Sequence, residues 1–240
     1  ITLLIEFVYT EFVTQVWFAD DGTGVGKILD LKKWWDRLVE WGPLLGYFPK
    51  PAKCFLIVKT KELKILAEQV FQDIPKANIT TDGERHLGAV IGSDQYRVKY
   101  VEAKVSEWIE EIAGLTQVAK EEPHLAYSAY SFVVRSKWNY VMRTIPNISP
   151  ILQPLEKNEI RKLIAVLVGR DLNDLERRIV SLPCRRGGLG ISIPTEVCDQ
   201  EYTNSRTMTE QLKNEICKQN ATDNPRRNIR SLFYQSDAAD

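Results

Sequence analysis

The sequence predicts a mixed α+β chain, a small sheet-bearing unit with packed helices followed by a mostly helical unit. Three observations predict it. Over residues 1–94, short β-branched and aromatic runs alternate with Gly-rich turns. From Tyr96 onward, apolar residues recur at helical spacing. A hydrophobic content of 44% over 240 residues is enough for a substantial buried core.

Residues 3–18 alternate loosely between apolar and polar and predict one or two strands. Gly22, Thr23, Gly24 and Gly26 break that pattern. From Ile28, the positions Leu31, Trp34, Trp35, Leu38 and Trp41 predict a helix that Gly42-Pro43 ends. CFLIVK, residues 54–59, predicts a short buried strand. Leu63, Ile65, Leu66, Val70 and Phe71 predict an amphipathic helix over 61–72. ITTDGERHLGAVIG, residues 79–92, predicts a β-hairpin turning at Asp82-Gly83. The stripe Val101, Val105, Trp108, Ile109, Ile112, Leu115, Val118 predicts a long helix. Pro123 opens a second, running to about Thr144; a third spans 149–169 and a shorter one 173–180. SLPCRRGGLGISIP, residues 181–194, predicts a glycine-rich turn and an extended piece. The polar residues from Asn220 predict disorder. The expected division is therefore 1–94, 95–200, and 201–240 for a C-terminal helix and tail.

Lys plus Arg and Asp plus Glu both total 32, giving zero net charge. That argues against a highly basic nucleic-acid-binding module and leaves room for a local basic groove. Cys54, Cys184, Cys198 and Cys217 are widely spaced, and only two histidines accompany them, which disfavours a zinc ribbon. Reduced thiols and an intracellular location, cytoplasm or nucleus, are expected. The opening ITLLIEFVYTEFV carries Glu6 and Glu11 and is too short for a membrane span or a signal peptide, so no membrane is expected. The initial isoleucine suggests a fragment.

The run VWFADDGTGVGK, residues 16–27, places Asp20 beside Asp21 at the end of an apolar stretch. A phosphate-binding loop would need glycine at Asp21 and a hydroxyl at Ile28. An EF-hand starting at Asp20 would need Asp or Asn where Gly22 stands. Two readings remain. One is a polar hairpin turn. The other is a two-metal phosphoryl-transfer site, in which a rigid sheet presents two carboxylates and divalent cations cancel their repulsion.

Further blocks follow in order. Phe18-Ala19-Asp20-Asp21 resembles the Phe/Tyr-x-Asp-Asp box of reverse transcriptases. GYFPKPAKCFLIV, ERHLGAVIG and LPCRRGGLGISIP resemble that family's Lys-bearing block, its primer-grip hairpin and a Gly-Gly-Leu-Gly element downstream of the thumb. The match covers about residues 15–200.

The resemblance implies a partial polymerase palm, a small antiparallel sheet with packed helices, followed by a mostly helical thumb-like unit. It implies that Asp20 ligates Mg2+ (or Mn2+), that Asp21 assists the metal site and that Lys53 protonates the departing pyrophosphate. For Lys53 a plain surface lysine capping a strand is the alternative. Arg85, His86 and Gly88 would support the primer backbone, although His86 also suits a half-buried hairpin position. The partners implied are an RNA or DNA template with primer and deoxynucleoside triphosphates.

No acidic residue occurs between Glu122 and Glu156, while Arg135, Lys137 and Arg143 lie among Tyr127, Tyr130, Phe132, Trp138 and Tyr140. Such a segment either tracks a phosphate backbone or buries its rings in a core. Arg185 and Arg186 either contact phosphate or cap a turn. Only nineteen residues precede Asp20, without the family's upstream carboxylate strand. The chain is therefore expected not to polymerise alone. A non-catalytic helical module binding protein or nucleic acid is the competing reading.

Overall fold

The first apolar run folds as a helix, not a strand. In the computed structural model, which describes residues 2–74 and 76–218, α1 spans Thr2–Phe7. Leu4 and Val8, one helical turn apart, are buried with Trp34 and Leu38, and the Phe7 ring stacks on Trp41 at 4.7 Å. That i, i+4 pair outweighs the looser alternation that suggested strands. The chain divides into two units, one comprising residues up to Thr81 plus the helix end from Met208, the other Asp82–Thr207.

In the first unit β1 (Thr14–Phe18) and β2 (Asp21–Val25) form an antiparallel hairpin with Phe18 opposite Asp21. The glycines of GTGVG make room for tryptophans and their neighbours. A Cβ on Gly22 would sit 2.9 Å from the Trp17 ring, and one on Gly24 would sit 3.1 Å from Leu31. Buried Gln15 accepts from the indole N–H groups of Trp17 (3.1 Å) and Trp34 (3.2 Å), and its amide donates to the Ile5 carbonyl at 3.0 Å. The predicted helix α2 (Ile28–Trp41) packs over this hairpin.

β3 (Phe55–Ile57), α3 (Lys61–Val70) and β4 (Asn78–Thr80) make a β-α-β crossover with parallel strands. Thr60 caps α3 by accepting from the Leu63 amide. Two expectations change here. Strand β3 is not buried, since Phe55 is 47% exposed. Residues 78–80 pair with β3 and do not join the following hairpin.

That hairpin, β5 (Gly83–His86) with β6 (Ala89–Gly92), turns at Leu87-Gly88 and not at Asp82-Gly83. Both turn residues have positive φ, 48° and 81°, the geometry a two-residue hairpin needs to match strand twist. The hairpin belongs to the second unit and packs on α4 (Asp94–Glu121), which Ser93 caps. The stripe is buried through Val101, Val105, Trp108 and Ile112 and then passes to Thr116 and Ala119, leaving Val118 exposed.

From Pro123 to Thr144 the helix runs as α5 (Pro123–Ala129), a π-helical turn (Tyr130–Val134) and α6 (Arg135–Thr144). A second π turn (Leu155–Ile160) leads into α7 (Arg161–Val168), which ends at left-handed Gly169. Next comes α8 (Asp174–Ser181), opened by a reciprocal capping box between Asn173 and Glu176. The chain then passes through a 3-10 turn (Cys184–Arg186) to α9 (Pro194–Lys218). Trp138, Tyr130, Ile112, Leu155, Leu163 and Ile191 sit at the centre of this unit's core.

The architecture is thus mixed α+β, with small sheets and packed helices. The tail predicted from Asn220 lies outside the described residues. No helix among the described residues is long and apolar enough to cross a membrane.

Candidate functional site

The Asp-Asp pair sits on the β1–β2 hairpin. Ala19 and Asp20 form its two-residue turn, with Ala19 in the left-handed region at φ 54°, and Asp21 opens β2. Both carboxylates are exposed. The Tyr47 hydroxyl donates to the Asp20 carbonyl at 3.0 Å, tying the turn to the loop after α2. Burial raises the Tyr47 pKa, and the nearby charges of Cys54, Asp20 and Asp21 raise it further. Cys54 donates to the Lys50 carbonyl, and burial pushes its thiol up.

Lys53, exposed at the end of the 3-10 turn Pro51–Lys53, makes no ion pair with either aspartate. Among the described residues no group of three or more His, Cys, Asp or Glu side chains is arranged to hold a metal ion. The pair alone does not fit a two-metal site, which needs further carboxylate ligands.

In the second hairpin Arg85 is exposed and His86 half-buried. Gly88 is explained by its turn, because the Tyr140 hydroxyl donates to the Leu87 carbonyl at 2.6 Å and the Tyr100 hydroxyl to the Gly88 carbonyl at 3.3 Å. A Cβ on Gly88 would lie 3.3 Å from the Tyr140 ring.

The three cations of the acid-free stretch are all engaged. Arg135 donates to the Gly190 carbonyl at 3.0 Å. Lys137 pairs with Glu111 at 2.5 Å, and Arg143 pairs with Glu201 at 2.8 Å. Of the interleaved rings, Tyr130 and Trp138 are buried, while Phe132 is 83% exposed.

The glycine-rich run is a scaffold element. Arg177, only 1% exposed, forms a bidentate pair with Glu156 at 2.7 and 2.8 Å and also donates to the carbonyls of Ile191 (2.7 Å) and Ser192 (3.0 Å). The Tyr127 hydroxyl holds the Leu189 carbonyl at 2.6 Å and lies 3.7 Å from the Cys184 sulfur. Arg185 and Arg186 project from the 3-10 turn and are exposed. Nearby, the Arg170 guanidinium and the Asn173 amide hold the Glu176 carboxyl down to about 2.

Sequence reasoning missed Glu156 and Arg177. Helical spacing in DLERRIVS points to Leu175 and Ile179 as the buried side, yet both are exposed and Arg177 is the buried residue of α8. No local signal links partners so far apart in the chain.

The helix from Pro123 also carries exposed apolar side chains. Leu125 in α5 and Phe132 and Val133 in the π-helical turn are 60%, 83% and 57% exposed. No family model, curated protein or solved structure matches the chain.

Proposed function

We propose that this chain is a non-catalytic interaction module whose helical unit docks an acidic amphipathic helix of another protein. One observation carries the reading. Arg135, Lys137 and Arg143, the cations best suited to a nucleic-acid backbone, are held by partners within the unit, whereas the large apolar side chains Leu125, Phe132 and Val133 face solvent on the same helix.

Large apolar side chains exposed close together with a polar rim mark protein contacts. Tyr127 joins the Cys184–Arg186 turn to this helix, so exposed Arg186 supplies a cationic rim. A partner helix with apolar residues on one face and carboxylates beside them matches both features.

The test is a benzophenone amino acid incorporated in cells at Phe132, with exposed Glu102 as control. A discrete adduct is expected from position 132 and not from 102, and it should disappear when Leu125 and Val133 are both changed to aspartate. No adduct at 132, or the same pattern at both positions, overturns the proposal.

A second reading has one feature in its favour, the location of the Phe-Ala-Asp-Asp box at a hairpin turn. On that reading the chain derives from the lower palm and thumb of a retroelement reverse transcriptase. A longer parent would then supply the missing carboxylate for Mg2+ (or Mn2+). That parent would add deoxynucleotides to a primer 3′-hydroxyl on an RNA or DNA template. The retained blocks would act here as folding elements.

A further inference from the structure

We propose that the helical unit pairs with a second copy of this chain, α8 against α8 in antiparallel orientation. The apolar side of α8 points to solvent. Leu175 and Ile179 lie one turn apart on one side of this eight-residue helix, and Leu182 follows about one turn further on. They are 71%, 46% and 37% exposed. Arg177, midway between Leu175 and Ile179 in sequence, lies on the opposite side and is buried.

The rotation of α8 about its axis is fixed by that burial. Arg177 donates to both Glu156 carboxylate oxygens and to the carbonyls of Ile191 and Ser192. Half a revolution would cover Leu175 and Ile179, but it would strand the Glu156 carboxylate in the core, which costs more. The Asn173–Glu176 capping box holds the start of α8, and the Leu189 amide holds the Val180 carbonyl at 2.9 Å near its end. The stripe therefore faces outward in the single chain, and its cover comes from outside.

The charges beside the stripe identify the occupant. On one flank Asp174 stands in the first turn and Arg178 in the last, both exposed. A two-fold axis between antiparallel helices sets like flanks together and reverses their direction, so Asp174 of each copy meets Arg178 of the other. Their present partners, Arg161 and Glu196, leave both groups accessible. On the other flank the Glu176 charge is offset by Arg170. An anionic lipid surface would be repelled by exposed Asp171 and Asp174, and the aliphatic stripe gives nucleic-acid bases no ring to stack on. The contact is small. A helix of this length spans about 12 Å. The dimer therefore buries less than the roughly 1,200 Å2 of a stable interface and forms only at high concentration.

Sedimentation velocity of the full chain, from about 10 μM to about 1 mM, tests this. A monomer–dimer equilibrium is expected. Leu175→Gln together with Ile179→Gln, at exposed positions, should weaken it about tenfold or more. Asp174→Arg and Arg178→Asp should each weaken self-association, because like charges then face each other across the two-fold. An equimolar mixture of those two variants, one of them fluorescently labelled, should recover the dimer, because opposite charges then meet at both ends. A chain that stays monomeric up to about 1 mM, leaving the stripe to a different partner, overturns the self-pairing. So does a dimer that the double glutamine change leaves unaltered. No recovery in the mixture, with both variants keeping the parent's far-ultraviolet spectrum, overturns the antiparallel arrangement.

Discussion

Replacing Arg177 with methionine is expected to destabilise the helical unit by about 3–5 kcal/mol, the range for removing one partner of a buried ion pair. The cost arises on three fronts. Glu156, 4% exposed, would keep a buried charge whose next cation, the Arg161 guanidinium, is 3.8 Å away. The carbonyls of Ile191 and Ser192 would lose their donors. The glycine-rich segment would lose its attachment to α8. Changing Glu156 to leucine together with Arg177→Met should recover part of the loss, because no unpaired charge then remains buried. Hydrogen exchange in urea reads this out by unit. Protection should collapse over residues 155–193 and persist over 14–25, whereas unchanged protection over 155–193 would contradict the anchoring role.

The second large effect is expected at Gly188. A Cβ there would sit 2.6 Å from the Ile179 carbonyl oxygen and closer still to that of Leu182. The backbone around it is pinned, with the Leu189 amide donating to Val180 at 2.9 Å and the Gly190 amide to Leu182 at 2.8 Å. Relief must come from backbone, not from a flexible side chain. Gly188→Ala should therefore cost about 3 kcal/mol, near the top of the usual range for overpacking. Arg185→Ala and Arg186→Ala, at exposed positions, should each change stability by less than about 0.5 kcal/mol. Thermal melts of the three variants separate the cases. Equal melting temperatures for Gly188→Ala and the parent would contradict a folding role for the Gly-Gly step.

The long-range α+β character was legible because it is written in period and punctuation. The Trp34–Leu38 and Val101–Ile112 repeats, the Gly42-Pro43 stop and the Pro123 start all mark elements that form. Local alternation was less reliable. In α1 the Leu4–Val8 pairing across one helical turn prevails over an apparent strand. In 78–92 a parallel partner outside the segment captures residues 78–80 and moves the turn to Leu87-Gly88.

Site reading depended on which groups carry partners, and composition does not record that. Arg135, Lys137 and Arg143 look like a cationic track in sequence, yet each meets an oxygen supplied by a distant element, at Gly190, Glu111 and Glu201. The string GTGVG looks like a phosphate loop, yet its glycines leave space for Trp17 and Leu31.

The most direct measurement is the salt dependence of binding to a labelled RNA–DNA primer-template by fluorescence anisotropy, comparing the parent chain with a Lys137→Gln, Arg143→Gln double variant. If those cations belong to internal ion pairs, the two proteins will give the same slope of log affinity against log salt, with no dependence on Mg2+. A slope smaller by about 2 in the double variant, one per lost phosphate contact, would contradict the assignment and return the helix to nucleic acid.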